Sequence, residues 1–212
     1  MRFRYIAVEG PIGVGKTSLT GLLAERLGAQ QVLEEVDNPF LREFYHDRDG
    51  AALQAQLYFL VARYRQQQEL KQASLFKPIT VSDYLFDKDK IFAYLNLTDS
   101  ELKLYEKFYA ILSEGLPQPD LVIYLQATTD VLVKRIARRR RDFEQEIARR
   151  YLEAVNEAYN YFFYHYARTP LLVVNTTEID FVKRGQDLDE LVKQVERMEG
   201  GTRHFVPAPS ED

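Results

Sequence analysis

The residues Gly10-Pro11-Ile12-Gly13-Val14-Gly15-Lys16-Thr17 are of the types, and at the spacing, that grip a phosphate. They fit G-x-x-x-x-G-K-[ST], in which glycines let successive backbone N–H groups converge on one anion. An apolar strand, Tyr5–Glu9, precedes the run and a helical stretch, Thr17–Leu27, follows it, so a helix N-terminus adds its partial positive charge. In such a loop Lys16 reaches the β- and γ-phosphates of ATP, the Thr17 hydroxyl ligates Mg²⁺, and Ser18 carries the loop into the helix. A plain glycine-rich turn would match the pattern by chance in about one chain in a hundred of this length. The strand before it and the helix after it make chance less apt still.

Phosphoryl chemistry beside that loop needs acidic groups, one for the metal and one for the proton of an attacking hydroxyl. In doubly wound sheets, ligands sit beyond the carboxyl ends of the strands. Glu34, followed by Glu35, closes the apolar run that begins at Gln31, and Asp83 closes Ile79–Asp83. Glu34 is the preferred base. Asp83 suits the metal, through water, or serves as the alternative proton acceptor. Capping of the helix after Asn38-Pro39 would be an equally good use of Glu34 or Glu35, and Asp83 also fits a helix cap.

Arg135 and the run Arg138-Arg139-Arg140-Arg141, followed by Asp142 and Glu144, form the densest charge cluster. A solvated helix face and a nucleic-acid patch are the ordinary readings of such a run. The net charge of −4 speaks against nucleic acid as a partner. Next to a phosphate loop, arginines closing over ATP as a lid are the sharper use, stabilising the transferring phosphoryl group and excluding water.

The elements that must position these groups are legible as well. Short, nearly continuous apolar runs occur at Tyr5–Glu9, Gln31–Glu34, Ile79–Asp83, Leu121–Leu125 and Leu171–Asn175, as expected of strands buried on both faces of a parallel sheet. Helical periodicity fills Thr17–Leu27, Ala51–Ala73, Glu101–Leu112, Val131–Arg139, Phe143–Tyr166 and Leu188–Met198. The alternation predicts an α/β fold with a five-stranded parallel sheet flanked by helices. In the order 2-3-1-4-5, that of a phosphate-loop kinase fold with an arginine-rich lid, both acidic strand ends would neighbour the phosphate loop. Residues 1–198 would form this one domain. Residues 199–212, with Gly-Gly, Pro-Ala-Pro and terminal acids, would be a disordered tail.

Cysteine is absent, which excludes disulfides, thiolate zinc sites and cysteine nucleophiles. No apolar run approaches the roughly 18 residues of a membrane span. Met1-Arg2-Phe3-Arg4 leads straight into an apolar strand without a leader-like segment, so a cytoplasmic protein with no membrane partner is expected. No Asn-Lys-x-Asp base-reading motif is present, which argues against a GTPase. A chain of 212 residues is short for an ATPase that couples motion to hydrolysis, and favours a kinase of small substrates.

Taken together, these segments resemble the deoxyribonucleoside kinase family, in particular its bacterial deoxyadenosine/deoxyguanosine branch. The resemblance runs from Val8-Glu9-Gly10-Pro11-Ile12-Gly13 through Glu34-Glu35-Val36-Asp37-Asn38-Pro39-Phe40-Leu41, Phe44-Tyr45 and Gln56 to Tyr64. It continues with Asp83-Tyr84, Lys88, Ile91-Phe92-Ala93, Pro119 to Leu125, Arg135-Ile136, Arg139 to Glu144, Tyr151-Leu152-Glu153 and Asp180-Phe181-Val182. It implies ATP as donor with Mg²⁺, a nucleoside as acceptor, and a homodimer packed through helices. It implies Glu34 as base toward the 5′-hydroxyl, Tyr45 and Glu144 on the sugar 3′-hydroxyl, and Gln56 on the nucleobase. Tyr84 joins the substrate pocket, and Arg63 and Lys88 line its base end. Arg139 and Arg141 act as lid arginines on the phosphates, and Arg135 with Asp180 and Phe181 hold the adenine of ATP. Two departures stand out. Many members carry Glu-Arg-Ser where this chain has Ser82-Asp83-Tyr84, so the arginine's task must fall to another residue. The usual Arg-Gly-Arg of the lid is Arg139-Arg140-Arg141 here.

Two rival functions remain open from sequence. A thymidylate-type monophosphate kinase would hold an acceptor phosphate with Arg42, Arg63 or Arg65. A non-catalytic regulator would bind ATP or nucleic acid through the arginine run and phosphorylate nothing.

Overall fold

A computed structural model describes residues 2–35, 37–46, 50–73, 79–139, 147–179, 181 and 185–206. Six strands form one sheet in the order β2-β3-β1-β4-β5-β6: β1 Tyr5–Glu9, β2 Gln30–Val32, β3 Thr80–Ser82, β4 Leu121–Gln126, β5 Leu171–Asn175 and β6 Thr202–Phe205. Every neighbouring pair is parallel, and Ala7 of β1 sits opposite Ser82 of β3 on one side and Val122 of β4 on the other.

The central strands read as apolar runs because both of their faces are covered. Along β4 the pleat sends Leu121, Ile123 and Leu125 to one face, where they pack with Leu19, Leu23, Leu132, Leu191 and Val195. Those partners come from α1 (Lys16–Leu27), α6 (Thr129–Arg139) and α8 (Gly185–Glu196). Val122 and Tyr124 face the other way, against Ile91, Val155, Tyr159 and Phe163 of α4 (Lys88–Asn96) and α7 (Arg149–Tyr164). Outside that layer, Leu60 of α3 (Ala51–Ala73) meets Tyr105 and Tyr109 of α5 (Asp99–Ser113). A short α2, Leu41–Tyr45, packs on α3.

The expected strand order holds, with a sixth strand added at the β5 edge. This corrects the count of five and the reading of residues 199–206 as part of a tail; residues 207–212 lie outside the described residues. Thr202–Phe205 pairs with Leu171–Val174, and Phe205 is buried in the core on the α1, α6 and α8 side. The strand hid in the sequence because Thr202, Arg203 and His204 are exposed and only Phe205 faces inward. An edge strand of that kind is held by backbone pairing, with Gly201 turning the chain at φ +67°. Helix α2 stands where a helix after Asn38-Pro39 was expected, whereas α4 was missed; it is nine residues long and begins among charges, Lys88-Asp89-Lys90. Helix α7 runs Arg149–Tyr164; Ile147 and Ala148 of the expected Phe143–Tyr166 are not helical, and residues 143–146 lie outside the described residues.

Candidate active site

The phosphate loop leaves β1 through Gly10, where a side chain is forbidden: a Cβ would lie 2.5 Å from the Leu125 carbonyl oxygen of β4. Gly13, at φ +83°, passes so close to α6 that a Cβ would lie 2.7 Å from Ile136 Cγ1. Gly15, in the left-handed region, caps α1 without using a side chain, which leaves the free N–H groups of the helix start to face the cavity. Lys16 Nζ donates to the carbonyls of Gly10 (2.7 Å) and Pro11 (3.2 Å). Burial, with help from the charge of Lys88, brings its ammonium down to about 8.

A cavity of about 620 Å³ opens above this loop. Ile12, Gly13, Val14, Gly15, Lys16, Thr17 and Ser18 form its phosphate-loop wall, and Gly10 and Pro11 do not line it. Glu34, Asp83, Tyr45, Gln56, Arg63, Lys88, Arg135 and Phe181 line the same space. Residues separated by up to 169 positions, as Ile12 and Phe181 are, therefore converge on one cavity.

Asp83 joins the acidic ends to the loop. Its Oδ2 accepts from Thr17 Oγ1 at 2.7 Å and its Oδ1 accepts from the Glu34 backbone N–H at 2.6 Å. Glu34 does not cap α2, whose start is at Phe40. Its carboxylate enters the cavity and meets two cations. Oε1 accepts from Arg63 Nε (2.9 Å) and Nη2 (2.6 Å), and Oε2 accepts from Lys88 Nζ (2.5 Å). Burial pushes this carboxyl up, but Lys88 and Arg63 outweigh burial and bring it down to about 2. Glu34 is thus ionised throughout the neutral range.

Arg63 also pairs with Asp89 Oδ2 at 3.0 Å. Burial raises the Asp89 carboxyl to about 6 despite that arginine. Gln56 is anchored to the same residue: its Nε2 donates to the Asp89 carbonyl at 2.8 Å and to Oδ1. The Tyr45 ring packs edge-on against Tyr151, which accepts from Asn96 Nδ2 at 3.2 Å. Arg135 binds backbone and hydroxyl oxygens on both sides of the cavity rim: Val14 O, Thr176 Oγ1 and O, and Ile179 O, at 2.7–3.1 Å. It clasps the loop carrying Phe181 onto the phosphate loop.

Tyr84 does not line the cavity, contrary to expectation. The chain bends at Asp83 just after β3, and while the Asp83 carboxylate meets Thr17, Tyr84 is buried. Its ring is fully buried, and its hydroxyl accepts from Gln67 Nε2 at 3.2 Å. The expected lid and base contacts of Arg141, Glu144 and Asp180, and the side chain of Arg139, lie outside the described residues.

A phosphate loop, an ionised carboxylate and an acid bridging to the loop threonine thus share one cavity. The deoxynucleoside kinase family profile matches residues 6–198. The chain belongs to this family. Its members are phosphotransferases, and so is this kinase. It is 33% identical to the deoxyguanosine kinase of Bacillus subtilis over 92% of this chain and 97% of that protein. It is 31% identical to the deoxyadenosine/deoxycytidine kinase of the same organism, over 90% of each chain. Among solved structures, deoxyadenosine kinase from M. mycoides with bound dATP superposes with a TM-score of 0.78 at 27% identity, covering 91% of this kinase and 99% of that chain.

Sequence reasoning missed several residues of the kinase site. Glu9 is fully buried, and its carboxylate accepts from the Gly10 and Leu85 N–H groups (2.8 Å each) and from the Tyr159 hydroxyl (3.1 Å). It ties the start of the phosphate loop to the segment after β3 and to α7. The available signal was a carboxylate at the end of a wholly buried strand. Asp89 escaped notice as one charge in a charged stretch, and Phe59, Phe92 and Asn96, which also line the cavity, resembled ordinary helix residues.

Proposed function

We propose that this kinase transfers the γ-phosphoryl group of ATP to the 5′-hydroxyl of a purine deoxyribonucleoside, giving the 5′-monophosphate and ADP. The observation that carries the reading is the placement of Glu34 in the cavity of the phosphate loop, its backbone N–H held by Asp83. Glu34 accepts the 5′-hydroxyl proton. A carboxylate at about 2 is a weak base in isolation, but in a loose phosphoryl-transfer transition state the nucleophile loses its proton late. Orientation then matters more than basicity. Lys16 and the N–H groups of the loop hold the donor phosphates.

Thr17 and Asp83 fit Mg²⁺. They present hard oxygen donors side by side, and this ion takes one or two carboxylates together with substrate phosphates. Among the described residues there is no cluster of three acidic or histidine side chains for a metal, and a site completed by the nucleotide needs none. The ion would neutralise charge on the β- and γ-oxygens. Arg135 keeps the adenine loop against the phosphate loop, and Arg139 and Arg141 complete the cage as lid residues, with Asp180 beside the adenine. Tyr45 and Glu144 hold the sugar.

Gln56 supports a base that donates from its edge. With both amide N–H groups directed to Asp89, its Oε1 is the atom offered to the substrate, an acceptor for a purine amino or ring N–H group. The two named relatives are a deoxyguanosine kinase and a deoxyadenosine/deoxycytidine kinase, so each takes a purine deoxynucleoside and the second a pyrimidine as well. Arg63, which would hold an acceptor phosphate in a thymidylate-type enzyme, is committed to Glu34 and Asp89. ADP release across the four deoxynucleosides, with ribonucleosides and deoxynucleoside monophosphates as controls, tests this. Turnover confined to monophosphates would overturn it.

The assembly is read as a cytoplasmic homodimer. Leu104, Phe108 and Ile111 stand exposed at spacings of four and three on α5, one apolar stripe suited to a second copy. No helix among the described residues is long and apolar enough to cross a membrane.

A further inference from the structure

Lys88 is the first residue of α4, and its side chain is 7% exposed. The start of that helix is pinned. The Lys88 N–H donates to Leu85 O at 3.0 Å, and the neighbouring Asp87 accepts from Tyr109 (2.5 Å) and Arg168 (2.8 and 2.9 Å). From this fixed point the ammonium reaches across the cavity wall to Glu34 Oε2 at 2.5 Å, from a sequence distance of 54 residues.

The two cations on Glu34 differ in kind. Arg63 divides its guanidinium between Glu34 and Asp89, and its planar fork is locked on both sides. Lys88 makes its ion pair with Glu34, a point contact on the other oxygen. The four groups together carry two positive and two negative charges, so the buried cluster is neutral only with Lys88 present. The backbone of Glu34 is fixed by Asp83, one carboxylate oxygen by Arg63, and the second by Lys88. The residues at the end of β3, Ser82-Asp83-Tyr84, supply no cation for this task.

We infer that Lys88 is the positioning residue that fixes the Glu34 carboxylate for attack of the nucleoside hydroxyl, acting at the phosphoryl end of the cavity and not on the nucleobase. The inference rests on Glu34 being the base of the proposed reaction. A carboxylate free to turn by an ångström is enough to cost about 10²-fold in rate.

The test is steady-state kinetics with ATP and the best deoxynucleoside for K88M, which keeps the length of the stem, for K88R, which keeps the charge, and for the E34Q/K88M pair. K88M is expected to lose about 10²-fold in kcat with both KM values within about threefold of wild type, and K88R to recover to within about tenfold. On the E34Q background, K88M should cost less than about threefold, because the residue it positions is already gone. A raised nucleoside KM at unchanged kcat in K88M would overturn the inference, as would a K88M loss that persists undiminished in E34Q. Should K88M fail to fold, K88A with added ethylamine decides: saturable recovery of kcat supports the inference and no recovery overturns it. A wild-type enzyme that phosphorylates no deoxynucleoside would instead overturn the proposed function.

Discussion

The Thr17 hydroxyl donates to Asp83 across 2.7 Å, although 66 residues separate the two in the chain. This contact ties the helix after the phosphate loop to the end of β3. Because the other oxygen of Asp83 receives the Glu34 N–H, one carboxylate sets the spacing between the phosphate loop and Glu34.

Asp83→Asn therefore acts on the metal before it acts on the nucleoside. The amide keeps its acceptor for the Glu34 N–H but loses the charge a divalent cation needs. Titration of activity with Mg²⁺ should show a half-saturating concentration raised by about tenfold or more, with the nucleoside KM nearly unchanged. An unaltered Mg²⁺ dependence would remove Asp83 from the metal site.

Acid stability follows from Glu34. Its folded value, about 2, lies below the ordinary 4.5, so the ionised group stabilises the fold above pH 4.5. That contribution is lost as pH falls from 4.5 toward 2. The melting temperature of wild type minus that of E34Q should be largest at neutral pH and shrink across this window. A difference that stays constant from pH 7 to pH 3 would show that the two cations do not stabilise the charged form.

Placing a charge on the apolar stripe of α5 tests the assembly. Ile111 is 71% exposed and Phe108 is 45% exposed, so Phe108→Glu or Ile111→Glu leaves the core intact. Light scattering should give about twice the chain mass for wild type and the single-chain mass for either variant. Unchanged mass in both would move the interface elsewhere.

What was legible in the sequence follows from where the forces lie. The phosphate loop was readable because its chemistry is local: glycines, a lysine and a threonine at fixed spacing. The inner strands were readable because burial on both faces leaves continuous apolar runs such as Leu121–Leu125. β6 was not, since three of its four residues face solvent and its pairing is carried by the backbone. The ring of contacts around Glu34 was also hidden. Spacing alone does not reveal that Arg63 and Lys88 converge on the Glu34 carboxylate while Asp83 holds the Glu34 backbone N–H. Tyr84 was misplaced because it follows Asp83 directly in sequence, yet its ring is buried and its hydroxyl is held by Gln67, a contact that spacing does not show.

The most direct measurement is the single-turnover rate of phosphoryl transfer from saturating ATP to saturating deoxyadenosine or deoxyguanosine, in wild type and in Glu34→Gln. The predicted result is 5′-monophosphate formation by wild type and a rate about 10²–10⁴-fold lower in the variant, with ATP binding retained. Equal rates in the two proteins would contradict the account.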